Sequence, residues 1–167
     1  MRSITNGDSL TSNEIKLLTN DKAGPSGRTK WFAIDKTLIT QGVDYINEWQ
    51  VVVSSAHAGG QEGRDNQIEV IDNSSAFGRA RVALKSFGDK ISADNFYKYC
   101  KSNFIRYAFL LSDESLSSLA KFVPDVGDYN NSSIINFSKD IDKQLYELLQ
   151  LKPNEVSYIE SMIKPME

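Results

Sequence analysis

The chain has little of what most catalytic chemistry requires. Its 167 residues include one cysteine, Cys100, and one histidine, His57. A lone cysteine excludes an internal disulfide and every cysteine-cluster zinc site. A lone histidine excludes paired-histidine metal motifs. No G-x-x-x-x-G-K-[ST] and no G-x-G-x-x-G after a strand is present to cradle a phosphate. Without a G-x-S-x-G elbow, Ser54, Ser55 and His57 do not read as a hydrolase triad. No apolar run nears the roughly 18 to 20 residues of a membrane span. The opening MRSITNGDSL lacks the apolar stretch of a secretory signal. The expectation is a cytoplasmic chain with no membrane contact, no metal and no catalytic residues of its own.

What is present describes a folded domain. Hydrophobic residues make up 40% and charged residues 25% of the chain. The net charge of -3 is unevenly spread. From Asp113 onward ten acids face five lysines, whereas the first 112 residues carry 14 basic against 12 acidic residues. An anionic partner would therefore meet the first two-thirds of the chain.

The pattern of residues gives a coarse order of elements. Residues 1–28 read as a polar lead-in, poorly ordered or holding a short helix over 12–19, and they close on the loop signal KAGPSGR. Residues 29–167 read as one domain. Strands are expected at 29–35, 50–56, 66–72 and 79–88, with a turn and short helix at 38–49. The period then changes. Phe96, Cys100, Phe104, Ala108 and Leu111 recur at spacings of four and three, which predicts one helix over 92–112 with Ser92 as its N-cap. Cys100 reads as a small buried hydrophobe on that helix. Further helices are expected at 114–122, from Ser138 or Asp140 to Leu149, and after Pro153. The βαβαβ alternation of a doubly wound sheet is missing. The fold class expected is α+β, a small mixed or antiparallel sheet with a helical C-terminal third packed on it.

The glycine-bearing stretch between the second and third strands is the candidate site. Together with its flanking strands it carries His57, Gln61, Arg64, Asn66 and Gln67, followed by Arg79 and Arg81. Arginine pairs with the guanine edge and asparagine or glutamine with the adenine edge, so these residue types can read bases. Lys30, Lys85, Lys98, Lys101 and Arg106 are candidates for phosphate contacts. A solvated surface loop would use the same residues. A third reading takes Asp8, Glu14 and Lys16 as an acid, acid-x-lysine set for a metal-dependent endonuclease. The segment does not read as the hairpin that such a set needs.

Longer stretches carry a resemblance. ALKSFGDKISADNFYKYCKSNFIRYAF contains a K-[ST]-x-F-x-R-[FY] core at residues 101–107. KFVP follows at 121–124 and IDKQLYELLQLKPNEVSYIESMIKPM at 141–166, with YINEWQVVVSSAHAGG upstream. This order resembles the C-terminal part of adenine-specific DNA methyltransferases of bacterial restriction–modification systems. That group includes bifunctional type II enzymes with a TaqI-like specificity region. The resemblance covers roughly residues 29 to 166. It implies a target recognition domain that binds double-stranded DNA beside other domains or subunits of the enzyme. S-adenosylmethionine would belong to the parent enzyme, as would Mg²⁺ where the parent also cleaves. The family's cofactor motif and [ND]-P-P-[YF] motif are absent here, so the chain itself is expected to hold no catalytic residue and no cofactor. Gln50 and Ser55 stand where the family often has lysines. The alternative within the same family is a module that joins subunits without touching bases.

Overall fold

The computed structural model describes residues 1–5, 8–19, 30–54, 68–111 and 123–163. Among these residues the fold is α+β, built from two small sheets followed by helices. The strands are β1 (Arg2–Ser3), β2 (Glu14–Thr19), β3 (Lys30–Asp35), β4 (Trp49–Ser54), β5 (Glu69–Ile71), β6 (Ser75–Phe77) and β7 (Arg81–Phe87). The helices are α1 (Lys90–Cys100), α2 (Asn103–Leu111), α3 (Ile141–Leu148) and α4 (Pro153–Met162).

The first sheet has the order β1-β3-β2-β6 and is mixed, because β6 runs parallel to β2 while the other pairs are antiparallel. The second has the order β5-β4-β7 and is antiparallel throughout. The run QVVVS is apolar without alternation because both of its faces are covered. Val51 and Val53 join the cluster of helix residues Phe96, Tyr99, Cys100, Ile105 and Phe109. Val52 instead packs with Ile71 and with Leu18 of the first sheet, where Trp31 and Phe77 close the contact. The second sheet is thus the middle layer between the helices and the first sheet. Each of its fully buried valines contributes about 1.5 to 3 kcal/mol by leaving water.

Several expectations are corrected. Residues 12–19 do not form a helix: Glu14–Thr19 is β2, paired along its length with β3. Ile15 and Leu18 sit three apart, which mimics a helical face, yet one belongs to each side of a strand, Ile15 against Ile34 and Leu18 against Val52. The lead-in of residues 1–28 therefore supplies β1 and β2 to the first sheet, and a boundary at residue 28 falls inside that sheet. The helix expected over 92–112 is two helices, separated at Lys101 and Ser102. Its N-cap is Asp89, which accepts from Ser92 N at 2.8 Å, not Ser92. The break rotates the buried face, so Ile105 and Phe109 are buried while Leu111 is 65% exposed. The helix expected at 114–122 lies outside the described residues. Asp140 caps α3, and Pro153 opens α4 as expected. No helix among the described residues is long and apolar enough to cross a membrane.

Candidate nucleic-acid interface

Three chain connections meet at one end of the two sheets. In the first sheet Thr19 pairs with Lys30, so residues 20–29 leave from and return to that end. Phe77 pairs with Leu18 there, and Gly78 N donates to Leu18 O at 2.9 Å. Gly78, Arg79 and Ala80 then form a tight link, closed by Arg81 N donating to Gly78 O at 3.0 Å. Arg81 opens β7 opposite Ser54, the last residue of β4. Val52 pairs with Glu69, so the stretch 55–67 is anchored at this same end. The ends of both sheets are thereby tied together by three residues of chain.

His57, Gln61, Arg64, Asn66 and Gln67 lie outside the described residues, and only their anchors are placed. Arg79 is exposed in the link between the sheets. Arg81 is buried: its side chain is 6% exposed, and it reaches past β4 to Glu69 Oε1 at 2.9 Å. That pair ties the two outer strands of the second sheet together, and breaking it would strand a charge away from water.

The phosphate candidates divide in the same way. Lys30 is exposed at the first position of β3, and Lys98 is exposed on α1. Lys85 Nζ is 2.7 Å from Asp125 Oδ2 and 5.1 Å from the centre of the Tyr129 ring. Burial would raise the Asp125 carboxyl, but Lys85 and the donors Gly127 N and Tyr129 OH hold it below the usual range. Lys85 thereby pins the 123–129 segment to the sheet. Lys101 Nζ lies 3.0 Å from Tyr97 OH and over its ring. Arg106 is 4% exposed within α2, with Asn103 Oδ1 at 3.4 Å from its NH1 nitrogen. Its guanidinium belongs to the interior of the helical layer.

An open cleft of about 870 Å³ runs beside the link, between the outer edges of β6 and β7. Arg79, Arg81 and Lys85 line it from one side, and Gln41, Tyr45 and Glu48 from the other. Gln50, where a lysine was the family expectation, donates to Tyr45 O at 3.1 Å and fixes that wall.

Each member of the acid, acid-x-lysine set is held by a partner of its own. Glu14 is bonded by Arg2 at 3.0 Å and by Thr11 N at 3.0 Å, which depress its pKa. Asp8 accepts from Thr5 N at 2.6 Å and is depressed by that bond. Lys16 pairs with Asp72 at 2.8 Å. Among the described residues no group of three or more histidines, cysteines and acids is placed to hold a metal ion.

Comparison with protein-family models, with curated proteins and with solved structures finds no match to this chain.

Proposed function

We propose that the chain is a DNA sequence-recognition domain of a cytoplasmic restriction–modification adenine-specific DNA methyltransferase. It holds double-stranded DNA in register while a companion part of the enzyme binds S-adenosylmethionine and methylates the base. The observation that carries this reading is the gathering of three connections at one end of a rigid double sheet. The strands at that end anchor the stretches 20–29 and 55–67, whose sequences, with Arg79 and Lys30, carry five basic residues against three acidic ones. The second stretch also contains the amides Gln61, Asn66 and Gln67, residue types that suit base edges. Rigid strands carrying variable polar connections are how a scaffold presents groups to a partner. The segment 123–163 suits DNA poorly, since it carries seven acids and three lysines.

The roles of the candidates narrow accordingly. Arg79, Lys30 and Lys98 are the candidates at the surface among the described residues. Arg81 and Arg106 act from inside, and Lys85 through its pair with Asp125, by holding the scaffold.

The test is enrichment of a random duplex pool on the chain at low salt, followed by gel shifts with the selected duplex. A short consensus is expected. Arg79→Ala should weaken binding about 5- to 100-fold, which corresponds to about 1 to 3 kcal/mol for one base-edge pair. Far-UV circular dichroism of the variant checks that it folds. A pool that stays random, or an Arg79→Ala variant with unchanged affinity and site preference, would overturn the reading.

A further inference from the structure

Helix α4 carries apolar side chains on two stripes and buries one of them. Ile159 and Ile163 are buried, with Val156 half-buried one turn before. Tyr158 and Met162 are four residues apart, so they share a neighbouring face, and both are exposed. The helix rests on α2, where the Tyr107 and Tyr158 rings meet edge to face with 6.2 Å between their centres. Leu111, one turn beyond Tyr107 on α2, is exposed as well. Each of these side chains neighbours the next, so Leu111, Tyr107, Tyr158 and Met162 form one apolar strip across the α2–α4 seam. Tyrosine and methionine are types enriched at the centres of protein interfaces.

The charge beside the strip is of one sign. Helix α4 holds Glu155 and Glu160 and no basic residue. Glu155 lies one turn before Tyr158, and its carboxylate accepts from Lys152 N at 2.7 Å, which fixes it at the edge of the strip. These charges choose between occupants. A second copy docked by the same strip would set two acidic helices face to face, and like charges repel. A partner whose apolar stripe is edged by lysine or arginine meets the same carboxylates favourably. The shape of the seam chooses further. Two packed helices leave a groove between them, and a third helix fills such a groove with its own ridge of side chains.

We propose that the α2–α4 seam is the surface by which this chain docks on the companion part of its enzyme. The occupant is an amphipathic helix with an apolar stripe edged by basic residues. The proposal rests on the recognition reading, which requires a companion, and adds the place of attachment. Recognition then belongs to the strand ends and attachment to the helices, and neither uses the other's residues.

The probe is a synthetic leucine–lysine amphipathic helix of about 18 residues, long enough to hold a helix, labelled at one end. A leucine–glutamate peptide of the same pattern is its control. Binding to the full chain is followed by anisotropy of the label at physiological salt. The lysine peptide should bind, and the glutamate peptide should bind at least about tenfold more weakly. Tyr158→Ser and Met162→Ser, both at exposed positions, should each weaken the lysine peptide by about 5- to 30-fold, the loss expected for an interface anchor. Leu38→Ser, at an exposed apolar residue outside the seam, should leave it unchanged. Circular dichroism checks that the variants fold. Absence of binding, or equal weakening by Tyr158→Ser and Leu38→Ser, overturns the seam. Equal binding of the two peptides overturns the basic partner, and a dimer of the chain alone that Tyr158→Ser dissociates puts a second copy in its place. The selected duplex is measured alongside. Duplex binding with no peptide binding defeats this inference alone, and peptide binding with no duplex binding defeats the recognition reading alone.

Discussion

Asp72 is the carboxylate that locks the junction of the two sheets, and its replacement should show a defined pH signature. One oxygen accepts from Lys16 Nζ at 2.8 Å. The other accepts from Ser74 N at 3.0 Å, Ser74 Oγ at 2.7 Å and Ser75 Oγ at 2.6 Å. Burial raises the carboxyl's pKa, but the bonds from Lys16, Ser75 and Ser74 outweigh it and bring the group from 3.8 down to about 2. A depression of that size corresponds to about 2.4 kcal/mol at full weight. The Asp72 and Lys16 side chains keep 29% and 38% of their surface in water. Screening therefore removes roughly half, and about 1 kcal/mol remains. Because the folded pKa lies below the unfolded one, this stability is complete above about pH 5 and is lost as pH falls through about 4 to 2. Asp72→Asn keeps the shape and one oxygen acceptor but removes the charge. Urea unfolding should find the variant less stable by about 1 kcal/mol near pH 7, with an unchanged m value. The two proteins should converge near the low end of that window. A gap that persists undiminished into acid, or no gap at neutral pH, would refute the reasoning.

Two further outcomes follow from burial. Arg106→Ala should destabilise the chain by about 3 kcal/mol, because it removes an interior guanidinium and leaves its acceptors unpaired, while Lys98→Ala should stay within about 0.5 kcal/mol. Thermal unfolding of the two variants checks the contrast, and equal effects would contradict the assigned positions. Burial also pushes the Cys100 thiol well above its ordinary pKa. The folded protein should then react with an aromatic disulfide reagent only as fast as it unfolds, whereas rapid labelling without denaturant would place the sulfur at the surface.

The parts of the fold that were legible in the sequence are those whose signal is local. The run Val51–Val53 reads as a buried strand because three β-branched residues in a row need cover on both sides. Asp140 and Pro153 announce their helices because capping chemistry acts within one turn. β2 was misread because its partner strand begins eleven residues later, at Lys30, and only that pairing decides between a helix and a strand for EIKLLT. The break at Ser102 was missed because the apolar spacing runs through it. Ser102 Oγ donates to Tyr99 O at 2.8 Å, and Asp142 of α3 caps the new helix by accepting from Asn103 N and Phe104 N. The Asp142 contact comes from 38 or more residues away. The candidate site shows the same division. Residue type marked Arg79 and Arg81 alike, but Glu69 withdraws one of them from the surface.

The three-residue link Gly78–Ala80 has a consequence for how such a protein can change. It clamps the two sheets at fixed spacing through backbone bonds alone, and the ladders on either side complete the clamp. The stretches between Ser54 and Ile68, and between Thr19 and Lys30, each begin and end at paired strand ends of that clamp. Exchange of either stretch for another sequence leaves every ladder partner of the two sheets in place.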